Sequence, residues 1–347
     1  MKNTEQELEF SIDQIPEPED IQEVIFSLMV NPNLAPVNYF NDFSEEAIDP
    51  SLMAGDDTNE SGIFEIDGSG EKVAMTTHAM HKYLAQDPQQ TTELLVSKAA
   101  RKMVCFGAKP VAVSAFLYHI NVADVNGQAI ASGSKKGLEN VAEAYGLKIS
   151  DRKIRFDNAM DGVAVPPTLI ISMLGEIDDK KPLLTPSFKN KGNNIFVIGR
   201  FHDDVAASEY LQFFHEMTLS TLPVCDIDVE KQLHEVMDDL HTKGLIESAS
   251  PVGVGGLFFS LLRAGMPNGL GFDITTDAET RKDAFLFGEA MGRLLVGVNP
   301  AKEDEFLDFM SASKIPFFNL GHVTRGEIRI DDASYGYVDK MAMNIEA

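Results

Sequence analysis

Residues 91–121, TTELLVSKAARKMVCFGAKPVAVSAFLYHIN, constrain the fold more than any other stretch. Leu95, Ala99, Met103 and Phe106 recur at helical spacing. Thr91 and Thr92 are candidate caps for that helix, and Glu93 suits its first turn. Gly107 follows the last periodic residue and can take the left-handed conformation that ends a helix, and Lys109-Pro110 stops it. Residues 111–118, VAVSAFLY, are apolar on both faces, which predicts a buried strand. A helix, a glycine turn and a buried strand ending in polar residues form a support on which a site can be hung.

A length of 347 residues predicts two domains of ordinary size, and 44% hydrophobic residues suffice for a sizeable core. The formal net charge of −25 argues against nucleic acid as a partner, because phosphate backbones are met by basic surfaces. It does not exclude a small anionic ligand, which needs only a local nest of backbone N–H groups. The two cysteines, Cys105 and Cys225, sit in apolar surroundings and suggest a reducing compartment rather than a disulfide framework. The acidic first twenty residues lack the apolar core of a signal peptide, and no run of 18 apolar residues is present. A cytoplasmic protein with no membrane partner is therefore expected.

Residues 1–20 read as a loose acidic leader with a short strand where Leu8, Phe10 and Ile12 alternate. Asp20 can cap a helix whose Ile21, Val24, Ile25 and Leu28 share one face. Residues 49–62 read as a surface loop, and 62–76 as a hairpin turning at Asp67-Gly68-Ser69-Gly70. A polar loop at 124–127 leads to a helix near 132–145 with Gly146 as its C-cap, followed by strands over LKIS and 167–177. The basic connection 182–192 is the expected domain boundary, dividing the chain into a first domain, 21–185, and a second, 186–347. In the second half strands (194–199, GLGFDI, 293–298, FFNLGHV) alternate with helices (SEYLQFFHEM, 229–244, GGLFFSLLRAG, AKEDEFLDFMSAS), which indicates α/β or α+β layers.

Several residue groups could carry chemistry. Gly253, Gly255 and Gly256 precede a helix, where backbone amides can approach a phosphate; a tight packed turn explains them equally well. In 287–293, FGEAMGR, Gly288 precedes Glu289 and Arg293, which either meet a ligand or pair with each other. His78 and His81 stand three apart, but a metal site needs more ligands than these and two loop histidines are the simpler expectation. Asn158 and Asp161 make a polar turn before Pro166-Pro167. No Ser-His-Asp arrangement, CxxC or HExxH is present.

Six segments in order resemble the second half of phosphoribosylformylglycinamidine (FGAM) synthases, in the aminoimidazole-ribonucleotide (AIR) synthetase-like superfamily. They are LMVNPNLA (28–35); AARK with GAKPVAV (99–102, 107–113); VPPT with Gly175 (165–168); SEYL (208–211); VGGL (254–257); and LFGE with Gly292-Arg293 (286–289). The resemblance implies a two-domain α+β or α/β fold. Its first domain would be a βαβ-type sheet that pairs with a second copy into a barrel, which makes a lone half a homodimer or the partner of another half. Its second would be an α/β domain with helices on one sheet face. The family uses ATP and Mg²⁺ to phosphorylate a formamide oxygen, which ammonia then displaces.

The departures from the family pattern are as informative. Where the family has Thr-Asp-x-x-Asn, with the aspartate on Mg²⁺, this chain has Ser114, Ala115 and Tyr118. The family's Asp-Val-Ser-Glu-Gly-Gly falls on Pro251 to Gly256, without either acid, and its Asp-Gly-Asn-x-Arg falls near Thr76, Thr77, His78 and Met80. Its Gly-Gly-Asn-Val-Ser turn falls on residues 151–155, placing Arg152, Lys153 and Arg155 as candidate anion contacts. Mg²⁺ needs hard oxygen ligands, so no metal ligand is assigned. Asn121, Asp124 and Asp161 remain, with His78 and His81, as polar candidates near that site. Two functions follow: an ATP-dependent carbon–nitrogen ligase of the FGAM synthase type, or a non-catalytic dimeric scaffold or sensor that binds a nucleotide or small phosphorylated metabolite.

Overall fold

The computed structural model describes residues 10–34, 62–66, 71–155, 159–160, 163–178, 180–218 and 220–341. Two sheets organise them. The first has five strands in the order β1 (Gly62–Glu65), β2 (Lys72–Met80), β7 (Thr168–Ile177), β3 (Ala108–Tyr118) and β4 (Lys148–Arg155). Its neighbours are antiparallel except β3 and β4, which run parallel. A parallel pair requires a crossover, and helix α3 (Val125–Tyr145) supplies it between β3 and β4. A two-strand ribbon, β5 (Ala159–Met160) and β6 (Val163–Ala164), precedes β7.

Helix α2 (Pro88–Cys105) lies with α3 on one face of this sheet. Leu95, Val96, Ala99, Ala100 and Met103 pack there with Val113, Ala115, Leu117, Ile171 and Met173. The helix starts earlier than expected: Asp87, rather than Thr91 or Thr92, caps it, with its Oδ1 accepting from the Gln90 amide at 2.9 Å and Pro88 at the first turn. Proline fits there because that N–H has no helical partner. The helix ends through Gly107, whose φ is +74°. The strand that follows differs from the expected doubly buried one. Only its helix-facing side is buried, and the opposite face, with Met75 at 36% and Leu174 at 38% exposure, is open. Alternation of polar and apolar residues was masked because Ala112, Ser114 and Phe116 read as apolar or small. Helix α3 begins at Asp124, whose Oδ1 accepts from the Gly127 amide at 2.6 Å, so the expected 124–127 loop is its first turn.

The second sheet has seven strands in the order β14 (Ala333–Tyr337), β13 (Glu327–Ile330), β10 (Gly271–Ile274), β12 (Phe317–Thr324), β8 (Asn194–Ile198), β11 (Leu294–Val298) and β9 (Ser248–Pro251). Only β10 and β13 pair in parallel. Its central strands are buried on both faces, so helices cover two sides and not the one side implied by the resemblance. Ile195, Val197, Phe272 and Leu295 face α1 (Ile21–Met29), α5 (Gly256–Gly265) and α6 (Lys282–Phe287). Phe196, Ile198, Leu294 and Val296 face α4 (Ile227–Thr242) and α7 (Glu303–Ser313), joined by Val104 and Cys105 from the end of α2.

Three further expectations change. Residues 1–9 lie outside the described residues, but Ile12–Gln14 is a 3₁₀ turn and Ile12 and Ile15 are buried in the second sheet's core. The expected loose leader is therefore anchored over its second half. Helix α1 also packs in that core, although the sequence placed it with the first domain. The helix expected over SEYLQFFHEM is a single π-type turn, Tyr210–Phe214.

Candidate functional site

The two sheets meet at a seam built from the middle of α2, the end of β2 and three turns of the second domain. Arg101, at 2% exposure, reaches across it from α2 to Glu230 on α4, with Nε 3.1 Å from the carboxylate. The Glu230 Oε1 also accepts from the Gly292 amide at 2.9 Å. Arg101 Nη2 meets the Met291 sulfur at 2.8 Å.

Glu289 is the centre of the second-domain turns. Its Oε1 accepts from the backbone amides of Glu209, at 2.8 Å, and Gly255, at 2.9 Å. A carboxylate of the chain's own therefore sits at the N-terminus of α5, the position where the glycine run could have met a phosphate. Burial raises the Glu289 pKa, and Lys98 nearby opposes that rise. The glycines themselves answer to packing. Gly256 has φ +72°, and a Cβ there would lie 2.6 Å from the Phe287 backbone. One at Gly255, φ +81°, would meet Leu34 and Phe259. Gly253 bridges to Gly256, and a Cβ at Gly288 would strike the Ala284 and Asp204 carbonyls. Arg293 is fully buried, donates from Nη2 to the Gly288 carbonyl at 2.6 Å and lies over the Phe201 ring. Glu289 and Arg293 are thus each held by backbone groups rather than paired with one another.

Beside these turns lies a cleft of about 520 Å³, lined by Asn31, Asn33, Lys82, Glu209, Gln212 and Phe213 among others. Glu209 accepts from Asn31 Nδ2 at 2.8 Å and Asn33 Nδ2 at 3.0 Å, and Lys82 Nζ stands 3.8 Å away. Lys82 also donates to Gln212. Sequence reasoning assigned no role of their own to Glu209, Lys82, Asn31 and Asn33. The two asparagines flank Pro32, and Glu209 lies in SEYL, so the family segments already marked three of the four positions.

Other candidates separate. His78 lies within β2 rather than on a loop, half-buried, with Nε2 3.1 Å from Thr76 Oγ1. Burial, then the charges of Lys98 and Arg101, hold its pKa down to about 4. His81 is exposed beyond the strand's end. Asn121 Oδ1 caps the Ala123 amide at 2.9 Å in a local turn. Arg152 and Arg155 lie on β4, where a glycine turn was expected to approach phosphate; Arg152 pairs with Glu139 at 3.0 Å on the surface. Asn158 and Asp161 lie outside the described residues.

The donor set does not fit Mg²⁺. Ala115 is in the core of the first domain, Pro251 ends β9, and Val254 offers an exposed aliphatic side chain where the second acid would stand. Among the described residues no three His, Cys, Asp or Glu side chains converge as metal ligands.

The chain's relatives accord with this architecture. The sequence model described as AIR synthase related protein, N-terminal domain, matches residues 58–177, and that for the C-terminal domain matches 190–332. The phosphoribosylformylglycinamidine synthase subunit PurL of Alkaliphilus metalliredigens is 26% identical over 319 residues, covering 92% of this chain and 43% of the relative. The solved structure of T. maritima PurL complexed with FGAR superposes with a TM-score of 0.75 at 16% identity, over 94% of this chain and 54% of that one. T. maritima PurL complexed with ATP gives 0.72 at 17%, over 94% and 52%. The chain spans about half the length of these PurL relatives. With both domains matched and the two-sheet fold in common, the chain belongs to the AIR synthase-related family.

Proposed function

We propose that this protein binds a nucleotide or another small phosphorylated metabolite of the purine-biosynthesis type in the cleft between its domains, without catalysing the family's ATP-dependent ligation. One observation carries the reading: the cleft keeps a shaped polar lining while the positions for metal-binding acids hold Ala115, Pro251 and Val254. Phosphoryl transfer rests on metal charge placed against the phosphates. Neither alanine nor valine can ligate, and the Ala115 side chain is turned into the core. Similarity to PurL structures that hold ATP and FGAR supports the ligand class.

Dimer formation through the first sheet is part of the same proposal. Its open face presents the cross-strand pair Met75 and Leu174, with the Thr77 and Ser172 hydroxyls 3.1 Å apart in the next pair along. A second copy would cover that face.

Calorimetric titration of the full chain with ATP and AMP, with and without Mg²⁺, tests the ligand. Phosphate release measured with ATP, Mg²⁺, FGAR and ammonia tests the chemistry. Binding without turnover is expected. Turnover above a protein-free control overturns the non-catalytic reading, and the absence of any binding overturns the ligand reading.

A further inference from the structure

The π-type turn Tyr210–Phe214 and the residue before it bring three groups to the cleft wall: Glu209, Gln212 and Phe213. Such turns are rare and occur often at functional sites. The inner side of this one is fixed, because Tyr210 and Leu211 are fully buried and the Tyr210 hydroxyl donates to Asp283 at 3.0 Å. Glu209 is fixed at both ends. Glu289 holds its backbone amide, and its Oε2 accepts from Asn31 and Asn33. The turn that carries those asparagines is itself closed, with the Asn33 amide donating to Asn31 Oδ1 at 2.9 Å. The other carboxylate oxygen, Oε1, faces Lys82 Nζ at 3.8 Å, beyond direct hydrogen-bond range. Lys82 comes from the first domain, between β2 and the buried Tyr83 and Leu84. It has three N–H donors, of which Gln212 takes one.

A carboxylate oxygen beside an ammonium, not closed on one another, selects among the parts of a ligand. A phosphate set against Lys82 would also face the Glu209 carboxylate, and like charges at that range repel. A flat heterocycle with an N–H donor next to a ring-nitrogen or carbonyl acceptor meets no such penalty. Its donor reaches Glu209 and its acceptor takes a proton of Lys82, giving two charge-assisted bonds side by side. Phe213 lines the same cleft and is 39% exposed, so its ring can stack on the flat face. The cleft volume of about 520 Å³ is that of an ordinary small-molecule site.

We propose that Glu209, Lys82 and Phe213 form a base-binding subsite, which takes the amino-bearing heterocycle of a nucleotide and not its phosphate. The inference rests on the ligand reading given above and deepens it by assigning one end of the ligand to one part of the cleft. Because Lys82 belongs to the first domain and Glu209 and Phe213 to the second, a bound base bridges the two. Asn31 and Asn33 act as positioning residues: they hold one carboxylate oxygen of Glu209 and leave the other to the ligand.

The test titrates the full chain calorimetrically with AMP, adenosine, purine riboside (adenosine without its amino group) and ribose 5-phosphate. Adenosine is expected to bind although it carries no phosphate, and purine riboside to bind about tenfold more weakly, having lost the donor to Glu209. Lys82 and Phe213 are exposed on the cleft wall, so Lys82→Met and Phe213→Ala keep the fold. Each is expected to weaken adenosine and purine riboside alike, by about tenfold, since both nucleosides retain the ring acceptor and the flat face. Glu209→Gln reads specificity. The asparagine amides keep its one side-chain oxygen, so an NH₂ donor turns to the cleft, and the preference for adenosine over purine riboside is expected to disappear. Ribose 5-phosphate binding as tightly as AMP, AMP binding without any adenosine binding, or adenosine binding that Lys82→Met and Phe213→Ala leave unchanged overturns the base subsite alone. No binding of any of the four probes overturns it together with the ligand reading on which it rests.

Discussion

At Glu289 a single carboxylate oxygen satisfies the buried amides of Glu209 and Gly255, which begin two separate turns. Removing it leaves both donors without a partner, at about 1–3 kcal/mol for each buried group. Glu289→Ala is thus expected to lower the unfolding free energy by roughly 2–6 kcal/mol, whereas Glu289→Gln, which retains a carbonyl oxygen, loses much less. Chemical denaturation of both variants checks this, and equal losses would assign Glu289 a purely electrostatic role. His78 and His234 supply a pH dependence. Burial is the main cause that holds their pKa values down, to about 4 and about 3, with Arg101 near both and Lys98 also near His78. The unfolded chain takes up these protons at a higher pH than the folded one. Stability is therefore unaffected above pH ~6.5 and falls as the pH drops from there toward 4. Each histidine contributes at most ~1.4 kcal/mol per pH unit in that window. Melting curves between pH 7 and 5 are expected to shift less for His78→Gln than for the parent protein. The sequence offered Glu289 and His78 as candidates and passed over His234, and spacing could not tell a histidine inside β2 from one on a loop. Nor could it tell that Glu289 would bind its own chain.

Helix α2 is the element on which the two domains converge. Its apolar residues serve the first sheet, Val104 and Cys105 enter the second domain's core, and Arg101 crosses to α4. Truncating one partner of such a pair leaves a buried charge, so Arg101→Met or Glu230→Gln alone is expected to cost about 3–5 kcal/mol. The double variant should recover much of that loss. A double-mutant cycle by urea unfolding measures the difference, and additive losses would show that the pair is not coupled. The helix's turn at Gly107 was legible because only a residue tolerant of positive φ ends a helix this way. Its start was misread: Thr91 and Thr92 are polar residues before a periodic run, yet Asp87-Pro88 combines a cap with a first-turn proline. Helix α1 and the Gly146 end of α3 were legible for the same local reasons. The π-type turn at Tyr210–Phe214 was not. Tyr210 donates to the buried Asp283 at 3.0 Å, and its ring stacks on Phe287, so distant residues hold that conformation.

For the molecule as a whole, the open face of the first sheet and the proposed dimer give a prediction about mass. Leu174→Glu places a charge at the centre of that face on β7. Analytical ultracentrifugation is expected to give a dimer for the parent chain and a monomer for the variant, with the circular dichroism of both alike. A monomeric parent chain at micromolar concentration would remove the dimer from the proposal. Local sequence determined the caps, the glycine-ended helices, the strands and the family pattern, because each depends on residues a few positions apart. It also determined what is missing, since no rearrangement gives Ala115 or Pro251 a carboxylate. Tertiary structure alone decided that residues 12–34 join the second domain's core, that helices cover both faces of the second sheet, and that Arg101 of α2 meets Glu230 of α4 across the seam. These depend on residues as many as 269 positions apart, as Ile12 and Arg281 are. Burial and the balance of charge within a low-dielectric interface exist only once those residues are brought together.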